Sequence, residues 1–333
     1  MSLLNTPIQI KDLIIKNRLV MPPMATAKAN LDGKITKELC EYYEEKSQGG
    51  YLGLIITEHS FVSQQGKAQK GQVSISKDSD IKELKKIVSV IHNNKTKVFA
   101  QINHAGGATT KEITGCDVLS ASAVPLPGRR KNTVLPKEMT QNDIDKVIDD
   151  FAEGALRAKK AGYDGVEIHS AHGYLLNQFF SPLTNKRTDK YTGTTLQGRM
   201  QLHLEIISAI RKRVGNSYPI ALRLGACDYM EGGITIEDSI IACKEFEKAG
   251  IDLLDISGGF CSYISPKTKQ QGYFSELSEP IKKAVNIPVI LTGGITTKEA
   301  AEELLQTEKA DMIGVGRSIL KNSDMAKQII LSL

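Results

Sequence analysis

Short apolar segments alternate with longer helical patterns along the whole chain, and this alternation constrains the fold more than any other feature of the sequence. Eight segments have the length and the β-branched, apolar composition of strands in a parallel sheet with both faces covered. They are 19–24, 52–57, 98–102, 165–169, 220–224, 253–256, 289–291 and 312–315. Periodicity predicts helices over 36–48, 79–94, 141–161, 196–213, 236–249, 276–285, 297–306 and 318–331.

Capping residues mark the ends of several of these helices. Thr140 precedes Asp143 by three positions, as in a capping box, and Gly162 follows the same helical pattern where a C-terminal glycine is common. No linker or low-complexity segment interrupts the eight strand–helix units. The chain is therefore predicted to be an α/β protein, a single (β/α)8 barrel domain over residues 1–333.

Two further segments complete the predicted barrel. Residues 7–17 are expected to form a hairpin that plugs the bottom, and residues 103–139 form a long excursion after the third strand, which favours a functional loop. We interpret the basic run 128–131 in that excursion as solvated, with contact to a phosphate of a ligand as the alternative. A doubly wound sheet is the alternative, but the segment 21–26, Met-Pro-Pro-Met-Ala-Thr, is not the glycine-rich turn that such a sheet would carry.

Composition argues against several classes of protein. The net charge is +5, but the basic residues are spread along helical patterns and are not interleaved with aromatic residues, so no nucleic-acid partner is expected. No apolar run is long enough for a membrane span or follows a basic N-terminal segment, which predicts a cytoplasmic protein with no membrane partner. Five widely spaced cysteines without a CxxC pair argue against a disulfide framework or an iron–sulfur cluster.

Histidines concentrate at the carboxyl ends of the predicted strands, where barrels of this type place their active sites. Four of the six follow or end strands two, three and four, namely His59, His104, His169 and His172. Tyr174 follows the last of them by two positions. This pattern predicts that the chemistry lies on that rim of the barrel.

Glycine turns after the last two strands indicate a phosphate site. Gly293 and Gly294 follow strand seven, whereas Gly316 and Arg317 end strand eight just before a helix. Loops at these positions bind phosphate in this fold, because glycine lets backbone N–H groups approach an anion.

Two more rim residues suggest a heterocycle. Gln101 offers both a donor and an acceptor, which suits a uracil-like ring edge. Arg223 is a permanent cation that would stabilise negative charge on such a ring. If Arg223 were buried for structural reasons alone, it would need a carboxylate partner, for which Glu167 and Asp255 are the candidates.

Six segments carry a resemblance to a known family, in order and at matching spacing. They are NRLVMPPM (17–24), GLIITE (53–58), QINHAGG (101–107), AKKAGYDGVEIHSAHGYLLNQFFSPLTNKRTDKYTG (158–193), IALRLGACDY (220–229) and ADMIGVGRSIL (310–320). The chain resembles the old yellow enzyme family of FMN-dependent ene-reductases. It is most similar to the branch with bacterial ene-reductases and the barrel domain of 2,4-dienoyl-CoA reductases.

This resemblance implies an NAD(P)H-dependent flavin oxidoreductase that binds FMN, takes electrons from NADH or NADPH, and reduces the C=C bond of a small activated alkene. It implies that His169 and His172 anchor the activating oxygen of the substrate and that Tyr174 donates the proton. The residues implied to hold FMN are Pro23, Met24, Ala25, Gln101 and Arg223 around the ring, and Gly293, Gly294, Gly316 and Arg317 at the phosphate. A homo-oligomer is compatible with the resemblance.

The sequence departs from that family at one position near the ring. Many relatives have Thr or Cys where this chain has Ala25, and that side chain tunes the potential of the flavin. Thr26 comes next, but on an extended chain a neighbouring side chain points the opposite way. The potential therefore cannot be carried over from the family.

Two other functions are alternatives. A metal-dependent barrel hydrolase could use the four rim histidines as zinc ligands, but Met24-Ala25-Thr26 and Gly316-Arg317 stand where its H-x-H and Asp would be expected. A flavin-binding barrel without turnover is the other alternative, although it would have no use for Tyr174 and both histidines. We expect no metal site.

Overall fold

Eight parallel strands close into a barrel in the order of the chain, which confirms the predicted (β/α)8 architecture. The computed structural model describes residues 2–128 and 134–331. The eighth strand pairs with the first, so the sheet has no open edge. The first to eighth barrel strands are Leu19–Met21, Leu54–Phe61, Lys97–Asn103, Gly165–Ser170, Ile220–Gly225, Leu253–Ser257, Val289–Thr292 and Met312–Gly314.

Helices surround the barrel, and the predicted capping box is present, with Thr140 and Asp143 each bonding the backbone N–H of the other. The longer helices are Lys37–Ser47, Asp80–Asn93, Gln141–Ala161, Leu196–Val214, Ile236–Ala249, Ser275–Ala284 and Lys298–Gln306. The shorter ones are Lys111–Thr114, Leu175–Phe180, Arg317–Lys321 and Met325–Leu331. Within the described residues, no helix has the length and apolar character needed to cross a membrane.

The prediction of one helix over 318–331 is wrong, because the chain leaves the helical conformation at Asn322, where φ is −143° and ψ is 110°. The Asn322 side chain accepts a hydrogen bond from the backbone N–H of Asp324. Short polar side chains that bond the backbone locally in this way compete with the helical hydrogen bonds. Two short helices therefore replace the single one.

The amino end of the barrel is closed by a hairpin, as predicted. Strands Ile8–Ile10 and Leu13–Ile15 pair antiparallel. Ile10 and Ile15 are buried against apolar side chains of the barrel strands. The two hairpin residues and the barrel residues that they contact form the bottom cluster, whose barrel members are Val20, Leu54, Ile56, Phe99, Ala221, Leu253, Ile290 and Met312. A separate, larger apolar core packs around it.

The excursion after the third barrel strand is fixed to the rest of the rim. Its short strands Leu119–Ser120 and Lys137–Glu138 pair in parallel. Gly107 N–H and the Ser120 hydroxyl both donate to the Gln178 side-chain oxygen, each at 2.9 Å, which ties the excursion to the helix after the fourth strand. Most of the basic run 128–131 lies outside the described residues.

Two strand bounds differ from the prediction in ways that bear on function. The first strand ends at Met21 instead of residue 24, because Pro22 and Pro23 have no N–H to donate to a neighbouring strand. The second strand continues to Phe61, with a register shift between Thr57 and Ser60. His59 therefore lies within the second strand instead of in the loop after it.

Candidate active site

Three predicted site residues meet at the end of the fourth barrel strand. The ring centroids of His169 and His172 are 5.2 Å apart, with their planes at 88°. The Tyr174 ring lies 5.0 Å from that of His169. All three side chains are buried. The His169 ring therefore contacts both the second imidazole and the phenol, and all three side chains come from one six-residue segment.

The backbone of this segment turns sharply to bring the rings together. His172 has φ 60° and Gly173 has φ 75°, two consecutive left-handed residues shortly after the strand, which ends at Ser170. Such a conformation is uncommon for a side chain other than glycine, asparagine, aspartate or histidine. Ser257 on the sixth strand holds the His172 ring, with its hydroxyl 2.8 Å from Nε2. Tyr174 then stands at the N-cap of Leu175–Phe180.

A third histidine joins the cluster and one expected histidine does not. The His59 ring lies 5.3 Å from that of Tyr174 and 6.2 Å from that of His169. His104 instead accepts a hydrogen bond from Gly106 N–H at 3.0 Å, and burial lowers its pKa to about 3. Position along the chain could not separate these two, because the β-bulge that sets the direction of His59 has no clear sequence signal.

Two buried side-chain pairs join neighbouring strands of the barrel, and in each pair the two residues are direct register partners. Gln101 donates to Glu167 at 2.8 Å, and Arg223 Nε lies 3.1 Å from Asp255, in contact as an ion pair although without hydrogen-bond geometry. Burial raises the pKa of Glu167 well above its ordinary value, and the nearby Asp255 adds to this effect. Burial also raises the pKa of Asp255, to about 6, against the opposing effect of Arg223. Asp255 is thus the carboxylate partner of Arg223.

Side chains at the predicted glycine turns after the seventh and eighth strands would be crowded or strained. A Cβ on Gly293 would lie 3.1 Å from the backbone nitrogen of Tyr273, and Gly294 has φ 69°. A Cβ on Gly316 would come within 3.0 Å of the sulfur of Met24. These turns bring backbone groups close to the rim, as an anion site requires.

Arg317 connects the second glycine turn to the loop after the sixth strand. Its Nη2 donates to the Tyr273 hydroxyl at 3.1 Å, and that hydroxyl donates to the carbonyl oxygen of Tyr263 at 2.6 Å. The Tyr263 ring faces the His172 ring at 6.2 Å. Tyr263 and Tyr273 were not predicted as site residues, since the conformation of this loop does not follow from its sequence. They link the predicted phosphate end of the site to the substrate end.

The loop that follows the first strand is held by a buried carboxyl group. The Thr26 hydroxyl donates to Glu58 at 2.7 Å, and its backbone N–H donates to the other carboxyl oxygen at 3.3 Å. Burial raises the pKa of Glu58 to about 7. The hydroxyl next to Ala25 is therefore bonded to Glu58, and Ala25 itself offers no polar side-chain atom.

Replacing Glu58 by Gln is expected to change how stability depends on pH. The pKa of Glu58 is about 7 in the folded protein, whereas its ordinary pKa is 4.5. Its contribution to the free energy of unfolding therefore falls as the pH rises from 4.5 to 7. The variant lacks that loss, so its stability relative to the parent should rise with pH, by up to about 3 kcal/mol. Urea unfolding at pH 5 and pH 8 measures this. Glu41→Gln, on an exposed side chain, is the control, and an equal slope in both variants would contradict the prediction.

Within residues 2–128 and 134–331, no three His, Cys, Asp or Glu side chains are arranged to hold a metal ion. The rim histidines that converge do so around the Tyr174 ring. All five cysteines are free thiols.

The sequence profile of one family covers almost the whole chain. The profile of the NADH:flavin oxidoreductase / NADH oxidase family matches residues 3–332. The chain belongs to this family. An NADH oxidase of Thermoanaerobacter brockii is 40% identical over 96% of the chain, and an NADPH dehydrogenase of Halalkalibacterium halodurans is 39% identical over 97%.

The lengths of these relatives differ. The chain spans 49% of the NADH oxidase but 93% of the NADPH dehydrogenase. A solved 2-naphthoyl-CoA reductase in complex with 2-naphthoyl-CoA superposes with a TM-score of 0.92 at 28% identity, over 98% of this chain and 52% of that one. An old yellow enzyme homologue from Zymomonas mobilis superposes with a TM-score of 0.85 at 26% identity, over 97% and 91%.

Membership of this NADH:flavin oxidoreductase family brings FMN as the cofactor. The residues of this chain fit such a group. Gly293 and Gly316 form turns that a Cβ would obstruct, and the exposed Arg317 stands at the start of a helix beside them. Gln101 and Arg223 supply buried polar groups inside the barrel. The two glycine turns and Arg317 would hold the phosphate, whereas Gln101 and Arg223 would hold the ring.

Replacing Arg317 by Ala is expected to weaken FMN binding. The guanidinium would form a charge-assisted hydrogen bond with a phosphate, and losing such a bond costs about 1.5–3 kcal/mol, so the Kd should rise about ten- to a hundredfold. Quenching of FMN fluorescence on titration of the apoprotein measures the Kd. Lys321→Ala removes the same charge at the end of the same helix and should leave the Kd nearly unchanged. Equal effects of both variants would show a general charge effect instead of a phosphate contact.

Proposed function

We propose that this chain, as a single barrel domain, uses FMN and NADH or NADPH to reduce the C=C bond of activated alkenes such as enones. The observation that carries the proposal is the cluster of two imidazoles and one phenol after the fourth strand, in which the His169 ring centroid lies 5.2 Å from that of His172 and 5.0 Å from that of Tyr174. Hydrogen-bond donors and a proton donor within one buried site are what this reduction needs.

His169 and His172 are assigned to the activating oxygen of the substrate. During the reduction, negative charge builds on the carbonyl or nitro oxygen, and preorganised N–H donors stabilise it more than water would. The turn at His172 and the Ser257 hydroxyl fix the orientation of one of the two rings before the substrate binds. Because a hydroxyl can donate or accept, Ser257 is compatible with either tautomer of His172.

Tyr174 is assigned as the proton donor. When bound, FMN supplies the hydride that reaches the β-carbon. The α-carbon then needs a proton, and a phenol that ordinarily stays protonated at neutral pH can deliver it. Tyr174 is 3% exposed, which favours transfer of its proton to a bound substrate over direct protonation of the substrate by bulk water.

Anaerobic stopped-flow kinetics tests the proposal. FMN absorbance near 450 nm should bleach with NADH or NADPH and return when an enone, a nitroalkene or an enoyl thioester is added. The thioester is included because one structurally similar protein was solved with a naphthoyl thioester. Chromatography should then find the saturated product in an amount equal to the NAD(P)H consumed.

Two results would contradict the proposal. If absorbance returned with oxygen but with no alkene of the panel, the chain would be an oxidase, as the name of one relative indicates. If NAD(P)H did not bleach the flavin at all, the protein would bind flavin without turnover.

A further inference from the structure

The third histidine of the cluster contacts the proposed proton donor directly. His59 Nε2 lies 3.4 Å from the Tyr174 hydroxyl oxygen, and both side chains are buried. The two residues are 115 positions apart in sequence. The β-bulge between Thr57 and Ser60 lies at this point of the second strand. Tyr174 therefore has an imidazole from another strand beside its reactive oxygen.

The other side of the His59 ring is held by an amide whose orientation can be deduced. The Gln72 side-chain oxygen accepts from Ala68 N–H at 2.7 Å. The Gln72 side-chain nitrogen must then be the group that faces His59. It lies 2.6 Å from His59 Nδ1 and 3.2 Å from the His59 carbonyl oxygen. An amide nitrogen can only donate. Nδ1 of His59 is consequently an acceptor, and the proton of the neutral ring is on Nε2, toward Tyr174.

We propose that His59 is a positioning residue that donates a hydrogen bond from Nε2 to the Tyr174 oxygen and stabilises the phenolate formed when Tyr174 protonates the substrate. The inference rests on the proposed function. The O–H bond of Tyr174 breaks and a C–H bond forms at the α-carbon, so the negative charge passes from the substrate to the phenolate. His59 keeps its own proton, and water restores that of Tyr174 after the product leaves.

The geometry is consistent with a contact that strengthens during the reaction. A separation of 3.4 Å is long for a neutral pair, but hydrogen bonds to a charged oxygen are shorter and roughly twice as strong. His169 also contacts the Tyr174 ring, and it is assigned to the substrate oxygen. The phenolate would thus have a donor of its own, separate from the donors for the substrate.

Single-turnover kinetics with His59 variants tests the inference. His59→Leu removes the donor, whereas His59→Gln keeps an N–H close to the position of Nε2. The enzyme is reduced with NAD(P)H and then mixed with an enone or, separately, with ferricyanide, which takes electrons without needing a proton from Tyr174. We expect His59→Leu to slow the enone reaction about ten- to a hundredfold, His59→Gln to recover most of that rate, and ferricyanide reoxidation to stay unchanged.

A double-mutant cycle and a spectrum complete the test. Because His59 acts through the Tyr174 hydroxyl, His59→Leu should cause little further loss in a Tyr174→Phe background. In ¹⁵N NMR of histidine-labelled protein, the resonance lost in His59→Gln should show Nδ1 unprotonated and Nε2 protonated. This readout depends on no activity.

Several results would overturn the inference. The first is an unchanged enone rate in His59→Leu. The second is a loss from His59→Leu that is as large in the Tyr174→Phe background, or with ferricyanide, as it is in the parent enzyme with an enone. The third is a protonated Nδ1 on His59. If the parent enzyme reduces no alkene of the panel, the proposed function fails first. If the parent enzyme is active and His59→Leu matches it, only the role of His59 fails.

Discussion

Replacing Tyr174 by Phe should slow alkene reduction by about 10²- to 10⁴-fold, the range that a general acid typically contributes, while flavin reduction by NAD(P)H stays nearly intact. The variant loses only the hydroxyl, because Phe can keep the ring contacts with His59 and His169. The hydroxyl donates the proton that the α-carbon needs, whereas hydride transfer from the nicotinamide to FMN needs none from it. Rapid mixing measures the two half-reactions separately.

The matched control for this variant is Tyr191→Phe. Tyr191 is a buried tyrosine whose hydroxyl donates to Glu205 at 2.7 Å, on the helix Leu196–Val214. Its loss should lower stability slightly and leave both half-reactions unchanged. Equal damage to both half-reactions by Tyr174→Phe would contradict the role of proton donor and would indicate that the hydroxyl supports the structure of the site.

Removing one of the two proposed oxygen anchors is expected to produce the second large effect. His169→Ala should weaken enone binding and slow alkene reduction, with a combined loss of about 10²- to 10³-fold, as for other oxyanion donors. His172 needs a different substitution, because its φ of 60° is strained for alanine but is tolerated by asparagine. His172→Asn keeps both the turn and a donor, so its loss should be smaller. Enone titration of the reduced enzyme gives Kd and rate constant separately.

His92→Ala is the control for these two variants. His92 lies on the helix Asp80–Asn93 and bonds Asp164 at 2.7 Å, away from the cluster. It should change neither the Kd for the enone nor the rate constant. If His169→Ala left both quantities unchanged, the anchoring role would be wrong, and the histidine pair would serve the structure of the site.

The strand–helix alternation was sufficient to predict the barrel and its plug, because each strand has to be apolar enough to be buried. The bounds were less predictable where local hydrogen bonding competes with the regular element. Asn322 ends a helix through its side chain, and Pro22 ends a strand through its missing N–H. The bulge in Leu54–Phe61 extends a strand past the point where apolar composition ends.

The site was predictable only as far as it depends on position along a strand. His169, His172 and Tyr174 belong to one short segment, so their proximity follows from the sequence. The contact between Tyr174 and His59 does not follow from the sequence, since it depends on how the second and fourth strands are aligned. The same holds for the link from Arg317 through Tyr273 to Tyr263, which depends on the path of a loop.

The two ends of the barrel bear on how this protein can be engineered. The hairpin and the bottom cluster lie at the amino end of the strands, and among the described residues that cluster contains none of the site side chains named above. Effects of substitutions at distant positions without shared partners usually add. Thermostability could thus be raised through the hairpin while the loops at the opposite rim are changed to accept other substrates, and the two sets of changes could be selected independently and combined.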